Sequence, residues 1–176
     1  MTFKYLKKNL YNFCKIIFPY HRSLTGEGTF KTLKFLKNYN EDLNIIKTKS
    51  GKKVFDWVIP KVWNLKDAYI KDLKSGKKII DYKNNNLHIV QYSSNISKTF
   101  KFKDLSKKLF FDKARPSAIP FVTSYYKKDW GFCLKYNQYK KIKKTSYKVV
   151  INSSIKNGFM NSGEAYFKGK SNKEIL

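Results

Sequence analysis

Apolar residues near the start of the chain recur at three- and four-residue steps. Phe3, Leu6, Leu10, Phe13 and Ile17 share one side of a helix predicted over 2–18, with Lys4, Lys8 and Lys15 opposite and Pro19 ending it. Such a stripe is expected to pack on a sheet or another helix rather than lie on a membrane. The segment from Pro19 to Gly28 breaks the periodicity. A second helix follows over 26–39, with Phe30, Leu33, Leu36 and Tyr39 inward, Thr25 as N-cap and Glu27 complementing the helix dipole. From residue 43 the texture changes to short β-like runs. Strands are predicted at 44–47, 52–58, 68–71, 78–82, 87–92, 99–102, 121–126, 130–134, 145–152 and 160–167, bounded by turn formers such as Ser50-Gly51 and Asn84-Asn85-Asn86. Residues 104–110 read as one short helix and 135–141 as a helical turn. Asn157-Gly158 reads as a hairpin signal between the last two strands.

Composition makes a packed core affordable: 41% of the 176 residues are hydrophobic and 17% aromatic, enough for one domain or one domain with an appendage. No stretch approaches 18 consecutive apolar residues, which removes a spanning helix. The net charge of +26 would ordinarily point to nucleic acid or an anionic membrane. Its make-up argues otherwise. Arg22 and Arg115 are the only arginines, whereas a phosphate reader favours the bidentate guanidinium. The lysines are spread along the whole chain, and Lys, Asn, Ile, Phe and Tyr share A/T-rich codons. The expectation is a solvated lysine coat with weak, salt-sensitive adhesion to polyanions and no specific nucleic-acid partner. Asn12 and Lys15 interrupt any export signal. With Cys14 and Cys133 expected to be reduced, buried structural thiols, a cytoplasmic location follows.

Chemistry-bearing motifs are sparse. His21 and His88 are the only histidines, and neither HExxH, a paired Cys motif nor a GxSxG elbow occurs. No catalytic residue and no metal ligand is therefore predicted in the chain. The best site candidate is the loop carrying His21, Arg22, Ser23, Thr25, Gly26, Glu27 and Gly28. Glycines before a helix start resemble an anion cradle, and His21 and Arg22 add positive charge and donors. The aromatic groups Phe55-Asp56-Trp57, Trp63, Tyr125-Tyr126 and Trp130 read as core, and His88 as a strand histidine bonded to a neighbour.

Five spaced blocks are similar to one family. They are Pro19-Tyr20-His21-Arg22-Ser23-Leu24-Thr25-Gly26-Glu27-Gly28-Thr29, the run from Lys53 to Trp63, Ala68-Tyr69-Ile70, Asn86-Leu87-His88-Ile89-Val90, and Ile119 to Tyr126 continuing to Trp130-Gly131-Phe132-Cys133-Leu134. Together they resemble the bacterial aminopeptidase-like proteins of uncharacterised domain type associated with surface-polysaccharide biosynthesis. That resemblance implies a zinc-dependent aminopeptidase-like α/β domain interrupted by a small β-rich insert, with a winged helix at the far end. It implies an α+β chain, two N-terminal helices packed with a β-rich inserted domain, as the N-terminal fragment of an α/β zinc-aminopeptidase-like fold. Residues 1–50 would be the helical part of the peptidase-like domain, 51–145 the insert, and 146–176 return strands. The family's metal motifs follow a strand that this chain only opens at Lys173–Leu176, so no zinc ligand carries over. Zinc and a peptide or aminoacyl substrate are expected for the full-length relative, while this chain alone is expected to be silent. The unfinished strand would be open to pairing with a missing segment. The alternative expectation is a free-standing lysine-rich β module that recognises an anionic glycan or nucleic acid.

Overall fold

The computed structural model describes residues 3–125 and 127–170. In chain order the elements are α1 (Phe3–Ile17), α2 (Glu27–Lys37), β1 (Asn44–Lys49), β2 (Lys53–Val54), β3 (Trp57–Val58), β4 (Val62–Asp72), β5 (Lys78–Asp81), β6 (Ile96–Lys101), α3 (Phe102–Leu105), β7 (Leu109–Phe110), β8 (Phe132–Cys133), α4 (Tyr136–Tyr139), β9 (Ser146–Lys156) and β10 (Phe159–Glu164), with 3₁₀ turns at Asn86–His88 and Ser106–Lys108. The chain is thus an α+β mixture. The strand expected to open at Lys173–Leu176 lies outside the described residues. Among those described, no helix is long and apolar enough to cross a membrane.

A four-stranded antiparallel sheet, ordered β5-β4-β9-β6, holds the core. Strand β9 alternates cleanly, turning Tyr147, Val149, Ile151 and Ser153 inward. Its partner β4 does not. Trp63 is buried and Leu65 half-buried at its start, but Ala68, Ile70 and Asp72 are the buried positions further on. The register slips between Leu65 and Asp67, and this bulge reverses the parity of the inward face. A strand expected only at 68–71 therefore begins at Val62. Phe132, Leu134 and Leu105 close over the same face with no exposure at all. At roughly 1.5–3 kcal/mol for each large apolar side chain fully buried, this face carries more stability than helix α2. Helix α2 has no fully buried residue.

The helices sit to one side. Phe13 of α1 meets Phe35 at 5.5 Å and Tyr39 at 5.7 Å between ring centroids. Leu10, expected on the inner stripe, is 56% exposed, and Cys14 is exposed rather than buried. Packing through Phe13 leaves the flank with Leu10, Tyr11, Cys14 and Ile16 turned outward. Helix α2 lies over a two-stranded ribbon in which β1 pairs antiparallel with β10. Gly163 of β10 makes room for it: a Cβ there would stand 2.8 Å from Leu33 Cδ2.

Four other expectations differ. Residues 52–58 form a tight hairpin of β2 and β3, because Phe55 adopts a left-handed φ of 54°. Residues 87–92 open as a 3₁₀ turn, for the Asn85 side chain accepts the Leu87 amide and caps it. The helix expected at 104–110 divides into α3, a 3₁₀ turn and β7, which pairs in parallel with β8. Asn157-Gly158 joins strands of different sheets rather than a hairpin, since β9 pairs with β4 and β6 while β10 pairs with β1.

Candidate functional site

The loop between α1 and α2 is held by one side chain. Thr25, 1% exposed, accepts the Trp63 amide at 3.1 Å through Oγ1, lies 2.7 Å from Tyr92 Oη, and reaches the Lys61 carbonyl at 3.3 Å. The loop is thereby fastened to β4 and to the segment after the Asn86–His88 turn. Thr25 is consequently not the N-cap of α2. Gly26 takes that position, and the Glu27 amide is capped from across the chain by Asn64 Oδ1 at 3.0 Å. Both glycines answer to close backbone approach. At Gly26, with φ 102°, a Cβ would stand 2.4 Å from the Trp63 carbonyl oxygen, and at Gly28 it would stand 2.0 Å from that of His21.

The candidate residues separate in space. His21, Arg22 and Ser23 line one cavity of about 540 Å³ with Asn86, Gln91 and Phe121. Gly26 and Glu27 border another, of about 450 Å³, with Lys47 and Lys156. Thr25 is buried between them, and Glu27 is paired with Lys31 at 2.9 Å. The His21 ring sits edge-on to Trp63 at 5.1 Å and to Tyr82 at 6.1 Å. Burial pushes its pKa down to about 4, so it is neutral at pH 7, and its Nε2 is buried without a hydrogen-bond partner among the described residues. Arg22 donates from Nη1 to the Ile17 carbonyl at 2.7 Å, closing the end of α1. Ser23 Oγ donates to the Thr25 carbonyl. No nucleophile is paired with a base here. The first cavity is lined by exposed Phe18, Leu24 and Phe121 and by side-chain donors already engaged, Asn86 with the Phe18 carbonyl and Gln91 with that of Arg22.

Residues 62–154 match DUF2172, described as a domain of unknown function, and that span exceeds half of the 176-residue chain. The chain belongs to the DUF2172 family. The matched span begins at the first residue of β4 and ends within β9, so it covers the central sheet. A protein of Clostridium acetobutylicum named "Putative polysaccharide biosynthesis protein with aminopeptidase-like domain" is 42% identical over 167 residues, 95% of this chain. A crystal structure titled as that of a "putative peptidase" from the same organism superposes with a TM-score of 0.87 at 42% identity, covering 92% of this chain. The resemblance drawn from the five sequence blocks is borne out. This DUF2172 chain spans 38% of the length of each of those two relatives.

Zinc, which an aminopeptidase-like relative suggests, can be tested against the donors present. Among the described residues no three His, Cys, Asp or Glu side chains converge. His88 Nδ1 lies 2.7 Å from the Cys133 carbonyl, a neighbour bond as expected although in a 3₁₀ turn rather than a strand. The Cys133 thiol is fully buried and its pKa is pushed up to about 12 by that burial. His21 stands among aromatic rings. These donors do not fit zinc.

Sequence reasoning missed a further cleft in this DUF2172 chain, apart from the two cavities beside the α1–α2 loop. Trp63 lies in the core and Trp130 and Tyr125 pack against it, but Phe55 is 93% exposed, and Trp57, together with the outer side of Tyr125, lines an open cavity of about 950 Å³. The available signal was the pair Lys127-Lys128 beside the Tyr125-Tyr126 run, cations placed next to rings that a core reading leaves without purpose.

Proposed function

We propose that this chain is the N-terminal part of an aminopeptidase-like protein connected with surface-polysaccharide biosynthesis, acting in the cytoplasm. It supplies the two helices and the β-rich body, and the metal-bearing part belongs to the remainder of the length its relatives possess. One conjunction carries the reading: the chain superposes almost throughout on 38% of a peptidase-titled structure, while its own described residues hold no metal donor set. The pairing of β10 with β1 supports a return to the peptidase-like part after the insert. Zinc chemistry and a peptide or aminoacyl substrate belong to the complete protein, where His21, Arg22 and Ser23 line a cleft. Alone, the chain is catalytically silent.

The test is direct. Purified chain supplied with zinc is incubated with aminoacyl p-nitroanilides, and release of p-nitroaniline no faster than in buffer is the expected outcome. Turnover that appears with zinc and disappears with a chelator contradicts the proposal.

A further inference from the structure

We propose that the cleft bordered by the β2–β3 hairpin is a binding subsite for an acidic carbohydrate, specifically a sugar unit bearing a carboxylate. The proposal stands whether or not the fragment reading does, because the cleft is formed by residues of this chain alone. Its volume of about 950 Å³ falls within the roughly 300–1,000 Å³ of ligand clefts.

The wall is aromatic and preorganised. The Trp57 indole N–H donates to Tyr125 Oη, and the Tyr125 ring contacts Tyr92 at 5.6 Å. Tyr92 in turn stacks on the buried Trp63 at 5.7 Å with 19° between planes. A ring platform anchored to the core costs little ordering when a sugar's C–H face lies on it. The charge around the wall is mainly positive. Lys61, Lys127 and Lys128 are exposed in the lining and join no ion pair among the described residues; Asp56 is the one carboxylate in the lining, and Asp129, already paired with Lys108, also attracts Lys127. A carboxylate held by ammonium groups over an aromatic face matches that combination. Ser94 Oγ, also in the lining, is buried without a partner, and a buried hydroxyl left unpaired is costly until an acceptor or donor reaches it. Sugar hydroxyls supply both. No arginine lines the cleft, which turns the balance from nucleic acid toward a glycan.

Trigalacturonic acid is the probe, with neutral maltotriose and an oligo-dT strand as comparators, titrated calorimetrically into the intact chain at fixed salt. Trigalacturonate is expected to bind at least about tenfold more tightly than maltotriose, with loss of that margin in Lys127→Gln/Lys128→Gln. The charge-matched variant Lys71→Gln/Lys77→Gln, outside the cleft, is expected to retain it within about twofold. Trp57→Ala, checked for retained structure by circular dichroism, is expected to weaken both saccharides. Equal losses in the two lysine variants, equal affinity for maltotriose, or tighter binding of oligo-dT would each overturn the assignment. The lysine variants alter only exposed side chains, so the comparison survives even if Trp57→Ala fails to fold.

Discussion

Thr25→Val keeps the shape of a buried side chain and removes one oxygen. That oxygen accepts the Trp63 amide at 3.1 Å and lies 2.7 Å from Tyr92 Oη. Without it the Trp63 N–H loses the acceptor it has in the fold, at a cost of about 1–3 kcal/mol for a buried unsatisfied donor. Tyr92 keeps a longer bond to the Lys61 carbonyl at 3.3 Å, so its loss adds only about 0.5–1.5 kcal/mol. The valine methyl returns about 0.8 kcal/mol at most. The expected net is about 1–4 kcal/mol, which in a chain of this size lowers the melting temperature by about 2–16 °C. Urea unfolding followed by tryptophan fluorescence measures it, with the midpoint falling and the slope unchanged. Thr25→Ser, which keeps the oxygen and gives up a methyl, is expected to lose only about 1 kcal/mol. A valine variant within about 0.5 kcal/mol of the parent, or a serine variant that falls as far as valine, would refute the view that this hydroxyl fastens the loop.

Gly28→Ala is expected to destabilise by about 1–3 kcal/mol, since the new Cβ meets backbone at the His21 carbonyl and cannot be relieved by a side-chain rotation; helix propensity alone favours alanine by about 1 kcal/mol, so a stabilised variant in denaturant titration would refute the close approach. A pH dependence follows from His21. Its folded pKa of about 4 lies below the unfolded value near 6.5, so between those pH values the unfolded chain binds the extra proton and stability rises with pH. Stability should therefore fall by up to about 3 kcal/mol as pH drops from 7 to 4, and His21→Phe should flatten part of that slope in urea titrations at pH 7 and pH 5. His88, also lowered by burial, keeps the remainder in the variant. An unchanged slope would show that the His21 ring is not shielded as described.

What the chain's pattern reveals and conceals has identifiable causes. Helix positions emerged because a three- and four-residue apolar period survives whatever the helix packs against, and α1 and α2 end within two residues of where the pattern places them. The long strand β4 was half hidden because its bulge beside Lys66 moves the inward face from odd to even positions, which breaks a period of two. The hairpin at Val54–Trp57 was hidden for another reason: its turn places Phe55 at positive φ, where glycine or asparagine would have announced it. The pairing of β1 with β10 joins residues more than one hundred positions apart and leaves no local trace. At the site, the glycines at 26 and 28 were visible as unusual. Only the structure shows that a Cβ at either would collide with the carbonyl of Trp63 or of His21.

The two clefts differ in how far their polar groups are already engaged, and this separates architecture from recognition. Around the α1–α2 loop nearly every donor has an intramolecular acceptor. Arg22 closes α1, Ser23 and Thr29 bind loop carbonyls, Thr25 bridges to β4, and the first amide of α2 is taken by Asn64. A ligand entering there would have to replace bonds that hold two helices on the sheet, so its binding energy would be offset by the loss of fold. The rings beside Lys61, Lys127 and Lys128 are arranged the other way: their mutual contacts fix the platform, while among the described residues the ammonium groups join no ion pair and the buried Ser94 hydroxyl no hydrogen bond. Substitution at Thr25 or Gly28 is therefore expected to move stability, and substitution at Lys127 and Lys128 to move binding with stability nearly unchanged. A lysine variant that unfolds as readily as Thr25→Val would place the second cleft, too, in the service of the fold.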